Sequence, residues 1–85
     1  MIRVLIADDQ ALVRGGFRMI LDAREDIDVA GEAADGAEAI ALSQRHRGPI
    51  HLMVTDILMG AMSGVELAER LSFQRPEMKV LYATG

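Results

Sequence analysis

Apolar residues fall into two kinds of pattern along this chain. Residues 2–7, 27–33, 50–56 and 78–84 are short runs dense in Val, Ile, Leu and Met. The stretches between them place apolar side chains three and four positions apart. The short runs read as buried strands of a parallel sheet, and the spaced stretches as amphipathic helices crossing between them. The alternation β-α-β-α-β-α-β predicts a doubly wound α/β fold with helices on both faces of the sheet.

The first helix opens at Asp9 or Gln10 and runs to about Asp22, with Leu12, Val13, Phe17, Met19, Ile20 and Leu21 at helical spacing. Gly15 and Gly16 lie inside it, and each costs about 1 kcal/mol relative to Ala. They point to close packing of helix on sheet, or to a glycine pair on the solvent side. Residues 27–33 form a weaker strand, with Gly31 within it, which fits a sheet edge. Asp35 caps the second helix with Glu38 as its reciprocal partner. Ala37, Ile40, Ala41 and Gln44 mark its inner face, and Gly48-Pro49 ends it. Ser63 and Glu66 make a second capping box, before a helix carrying Val65, Leu67, Ala68 and Leu71 that stops ahead of Pro76.

The chain has 85 residues, which bounds it to one domain. Two Phe, one Tyr and no Trp leave an aliphatic core in which Met fills gaps. The absence of cysteine excludes disulfides and Cys-based zinc or redox sites. A formal charge of −4 disfavours direct nucleic-acid binding by this segment. Met1 leads straight into a strand with neither a basic leader nor a long apolar stretch, so no membrane span is expected and the cytoplasm is the default compartment.

The candidate chemistry gathers at strand ends. Asp8 and Asp9 close the first run, Asp56 closes the third and Thr84 closes the last. In open α/β sheets the ligand site lies outside the carboxyl ends of the strands. A lone Asp there is usually a turn or helix cap. Three carboxylates at neighbouring strand ends repel, and a hard divalent cation relieves that repulsion. Mg²⁺ suits such an oxygen set, with Mn²⁺ as a substitute, and no His or Cys stands nearby in sequence to favour zinc. An Asp carboxylate can also act as nucleophile toward a phosphoryl group.

These residues carry a resemblance. Val4-Leu5-Ile6-Ala7-Asp8-Asp9-Gln10, Ala34-Asp35-Gly36-Ala37-Glu38-Ala39, Thr55-Asp56-Ile57-Leu58-Met59, Met62-Ser63-Gly64 and Thr84-Gly85 together resemble the receiver domain of bacterial two-component response regulators. The resemblance implies a flavodoxin-like sheet of order 2-1-3-4-5, of which this chain holds the first four strands. It implies that Asp56 accepts a phosphoryl group from a sensor histidine kinase or a phosphotransfer domain. Asp8, Asp9, Asp56 and the backbone carbonyl of Leu58 would hold Mg²⁺, and Thr84 would contact the phosphoryl group as the switch residue. Such a domain takes part in its own phosphorylation and dephosphorylation without being an enzyme.

The chain also departs from that pattern. Gly60 stands where the family usually has Pro, which should loosen the loop. The family's phosphoryl-pairing Lys, its switch aromatic and its last two helices lie beyond Gly85, so residues 1–85 read as one incomplete receiver domain. Residues 1–45 resemble receivers joined to helix-turn-helix outputs, and residues 50–85 resemble receivers of hybrid sensor kinases. The competing functions are a receiver-like interaction module that no longer signals and a Mg²⁺-dependent aspartyl phosphatase. The phosphatase class wants a second Asp two residues after the first, and position 58 is Leu. Without a fifth strand, the fourth becomes an apolar edge that predicts self-association. His46 and His51 read as a solvated residue and a strand-start residue, Met53, Met59 and Met62 as packing, and Arg14, Arg18 and Arg24 as a solvated face.

Overall fold

The computed structural model describes residues 1–83. Its elements alternate as predicted: β1 (Ile2–Ala7), α1 (Ala11–Asp22), β2 (Ile27–Ala33), α2 (Gly36–Arg45), β3 (Leu52–Asp56), α3 (Gly64–Gln74) and β4 (Lys79–Ala83). The strands form one parallel sheet in the order β2-β1-β3-β4. The expected edge position of residues 27–33 holds.

Three boundaries move inward from the sequence reading. α1 begins at Ala11, β3 at Leu52 and β4 at Lys79. Ile50 remains buried even though it precedes β3, which is why its apolar side chain read as strand.

Alternation along the strands sorts the core into two layers. Leu5, Ala7, Met53, Leu67 and Leu71 pack on the α2–α3 side. Val4, Ile6, Val29 and Val54 pack on the α1 side, beneath Phe17 and Leu21. The β1–β2 register shifts between Val4 and Leu5, which pair with Val29 and Gly31, so Ala30 has no partner in β1. Past this bulge Gly31 turns toward α2, where a Cβ would collide with Leu42 Cδ1.

The cap half of each expected box forms, while among the described residues no reciprocal bond from the Glu38 or Glu66 side chain does, and Glu66 pairs with Arg70 instead. Asp35 Oδ1 accepts from the Glu38 amide at 2.8 Å, and Ser63 Oγ accepts from the Glu66 amide at 3.1 Å. Each satisfies one of the amides that a helix start leaves without a partner.

Several side chains lie elsewhere than expected. In α2 the buried positions are Gly36, Ala39 and Ser43, while Ala37 and Gln44 are exposed. Ala39 packs in the core, while Gly36 lies against Met62 and Ser43 beneath the Arg75 guanidinium. Gly15 and Gly16 have no atom near the place a Cβ would take, so they form a solvent-side pair and do not serve close packing. α1 faces the sheet with Phe17 and Leu21, keeps Val13 half-buried, and leaves Leu12, Met19 and Ile20 exposed. His46 is half-buried, and its backbone carbonyl, with that of Gly48 and with Ser43, accepts from Arg75, which folds over the C-terminus of α2. His51 lies just before β3, and its Nδ1 accepts from the Arg3 amide at 2.9 Å. Met53 and Met59 are buried and Met62 packs against the core, as expected.

Candidate functional site

Ladder register places the site. Ala7 pairs with Thr55 in the β1–β3 ladder, so Asp8 and Asp56 leave adjacent strands side by side. Asp8, Asp9 and Asp56 each offer a carboxylate oxygen, and these oxygens all lie within 4.8 Å of one another. Asp8 is buried, Asp56 half-buried and Asp9 exposed. The cluster is therefore anchored on its β1 side and open to solvent above.

Asp8 is held at each polar group. Its amide donates to the Ala33 carbonyl at 3.0 Å, continuing the β1–β2 ladder. Its carbonyl accepts from Arg14 Nη1 at 2.6 Å, and its Oδ1 accepts from the Gln10 amide at 2.8 Å. The last contact closes a short turn that lifts the chain from β1 into α1. One carboxylate oxygen of Asp8 is occupied by the turn, which leaves the other to serve a ligand.

Asp56 is less constrained. The Leu58 amide donates to its Oδ1 at 3.4 Å, long for a hydrogen bond, and the Leu58 side chain is exposed. The backbone of Asp56 is fixed from beneath. Thr55 Oγ1 donates to its carbonyl at 3.0 Å, and a Cβ on Gly64 would run into that same oxygen. The Gly64 amide donates to the Ile57 carbonyl at 2.8 Å, tying the start of α3 to the end of β3. Glycine at 64 is what permits this approach.

Gly60 has φ of +58°, a conformation that Pro, fixed near −65°, does not reach. The β3–α3 loop thus follows a path suited to this glycine. Between that loop and the β2–α2 turn opens a crevice of about 380 Å³, with Asp9 at its rim and Met59 and Met62 in its wall. A crevice of about 310 Å³, near Pro49 and Pro76, lies at the opposite end of the strands.

Asp8, Asp9 and Asp56 are thus brought together. Thr84 lies outside the described residues. Arg14 was not expected here: its position in a helix suggested a solvated charge, yet its side chain is largely buried and reaches back to the Asp8 carbonyl. Its place in the second turn of the helix after the acid pair is the signal that could have revealed it. A cluster of carboxylates on a parallel sheet's carboxyl edge is chemically suited to a hard cation and to an acidic nucleophile.

A sheet of this order with three carboxylates at its β1 and β3 ends defines a receiver-type α/β domain. Residues 4–85 match the family model described as the response regulator receiver domain, and the chain belongs to that family. It is 42% identical over 83 residues to the uncharacterized transcriptional regulatory protein YxjL of Bacillus subtilis (strain 168), covering 98% of this chain and 37% of that protein. A receiver domain protein from Clostridium thermocellum superimposes with a TM-score of 0.88 at 21% identity, covering 100% of this chain and 66% of the other. The isolated REC domain of RcsB from Salmonella enterica serovar Typhimurium, solved with the phosphomimetic BeF3-, matches with a TM-score of 0.84 at 27% identity. That match covers 98% of this chain and 61% of the other.

Proposed function

We propose that this receiver domain accepts a phosphoryl group on Asp56 from the phosphohistidine of a sensor histidine kinase or phosphotransfer domain. The observation that carries the reading is the meeting of the Asp8, Asp9 and Asp56 carboxylate oxygens within 4.8 Å across β1 and β3. Asp56 is the acceptor because it is the half-buried member of the set whose carboxylate no short hydrogen bond occupies. In the transfer an Asp56 carboxylate oxygen bonds to phosphorus, the bond from phosphorus to the donor imidazole breaks, and the imidazole leaves with the electron pair and takes up a proton.

The donor set fits Mg²⁺, or Mn²⁺ in its place: Asp8, Asp9 and Asp56 through carboxylates and Leu58 through its backbone carbonyl. When bound, the ion neutralises charge on the incoming phosphoryl oxygens. The chain's own part is to hold the carboxylates in place before the donor arrives. Thr84 is assigned the phosphoryl contact and the switch. The domain turns over no separate substrate, so it acts as a signalling element, placed in the cytoplasm where kinase domains present their phosphohistidine. With its acidic balance this segment binds neither nucleic acid nor membrane directly.

All 85 residues are taken as belonging to a single receiver domain. Its β4 edge supports a second property, self-association. Among the described residues β4 has no neighbour beyond it, Leu81 is 55% exposed and Tyr82 is 38% exposed. An apolar edge with open backbone groups invites pairing with another chain.

The reading is tested with acetyl phosphate and Mg²⁺, and independently with the mimic BeF3-. Amide shifts at Asp56 and Leu58 on adding BeF3- with Mg²⁺, absent in Asp56→Asn, are the expected result. Equal shifts in both proteins would place the acceptor elsewhere.

A further inference from the structure

We infer that Arg14 is a positioning residue of the carboxylate site, its guanidinium bridging the Asp8 carbonyl and Glu32 so that β1 delivers Asp8 and Asp9 to Asp56. The inference rests on the site reading above and adds a residue to it.

The geometry is a fork with two ends. Arg14 Nη1 donates to the Asp8 carbonyl at 2.6 Å, and Nε lies 3.6 Å from Glu32 Oε1. Glu32 faces the α1 side of β2, because it pairs with Ile6 in the β1–β2 ladder. It is held in turn by Arg18 Nη1 at 3.1 Å, and Arg18 Nε meets Asp22 at 3.1 Å. Arg18 is cationic like any arginine, and its hydrogen bond to Asp22 raises its pKa further. Arg14 is the less exposed of the two arginines, with 18% of its side chain accessible against 42% for Arg18.

The placement matters for a cation. Asp8 and Asp9 sit at the turn from β1 into α1, and that turn has few ways to hold its height. The Asp8 amide is tied to β2 and its carboxylate to Gln10. The Arg14 fork ties its carbonyl, and through Glu32 it fixes α1 to β2 at the same level. A planar fork can bridge a carbonyl and a carboxylate together, whereas a Lys ammonium is a single point of charge on a flexible stem.

The sign of the effect separates positioning from charge. A cation near an acidic metal site weakens Mg²⁺ binding by repulsion, so its removal as a mere charge would tighten binding. Its removal as a positioning group would weaken binding, as losses of outer partners of metal ligands do, by about 10-fold or more.

The test titrates Mg²⁺ alone into the whole 85-residue chain by calorimetry, beside metal-free thermal melts. Arg14→Met should raise the Mg²⁺ Kd about 10-fold. The Asp56 labelling rate from acetyl phosphate should be recovered at saturating Mg²⁺, the split expected when only ion binding is lost. Arg14→Lys keeps the charge and should raise the Kd in the same direction by a smaller factor. It carries the test if Arg14→Met does not melt cooperatively. A lowered melting temperature with an unchanged Kd would reduce Arg14 to a structural residue and overturn the inference. Tighter binding in Arg14→Met would overturn it too. Absence of Mg²⁺ binding by the unmodified chain would overturn the site reading itself, a result visible before any variant is compared.

Discussion

Ala7 and Thr55 face each other across the β1–β3 ladder. This pairing sets the height at which Asp8 and Asp56 emerge, and a register slip by one residue would turn the whole set to the other face. The site is therefore a consequence of sheet register, and its parts can be perturbed one at a time.

Asp9 is the exposed member of the cluster, so its replacement should leave the core intact. In Asp9→Asn, Mg²⁺ titrations followed by amide shifts should show strongly weakened binding with an unchanged melting temperature. Equal Mg²⁺ affinity in the two proteins would remove Asp9 from the ligand set.

Gly64 lies against the Asp56 carbonyl oxygen. Gly64→Ala forces a Cβ into that contact, and overpacking of this kind costs about 1–3 kcal/mol. Urea melts should show the loss. Because the displaced oxygen belongs to Asp56, the proposed acceptor, labelling of Asp56 should slow even where the variant is fully folded.

The two caps should be nearly independent. Asp35→Ala and Ser63→Ala each remove one side-chain acceptor from a helix start, for about 1 kcal/mol apiece. The caps serve different helices, so the double variant should lose close to the sum. A markedly smaller combined loss would mean that the two helix starts are coupled through Met62, whose side chain lies where a Cβ on Gly36 would sit.

Self-association has a direct readout. Sedimentation equilibrium of the 85-residue chain at micromolar concentration should give a dimer or larger species, and Leu81→Lys should shift it toward monomer by placing a charge on the β4 edge. A monodisperse, cooperatively melting monomer would show that the β4 edge is tolerated unpaired.

Much of this fold is legible in the sequence because burial on both sides of a parallel strand writes an unbroken apolar run. β1 and β2 stand at the boundaries their patterns imply. The caps were legible because Asp35 and Ser63 carry an acidic residue three positions on. The face of α2 was not. Its buried positions are Gly36, Ala39 and Ser43, small residues of which Gly36 and Ser43 are covered by Met62 and Arg75 from other segments, and periodicity of large side chains does not register that. The orientation of α1 was half legible, since Phe17 and Leu21 point inward while Met19 and Ile20 lie exposed.

At the site, the acid triad could be read from strand ends alone, since Asp8, Asp9 and Asp56 close two runs that the fold sets side by side. Arg14 could not, because its role depends on a side chain running back along α1 to a backbone carbonyl. The same holds for Thr55, whose hydroxyl braces the Asp56 carbonyl from within the core.

Phosphoryl transfer to Asp56 is tested most directly by mass spectrometry after incubation with acetyl phosphate and Mg²⁺, on the unmodified chain and on Asp56→Asn. The predicted result is one base-labile phosphoryl group on the peptide containing Asp56, and none in the variant, because an amide is a far poorer nucleophile than a carboxylate. Modification that persists in Asp56→Asn, or that maps to another residue in the unmodified chain, would contradict the assignment of Asp56 as the acceptor.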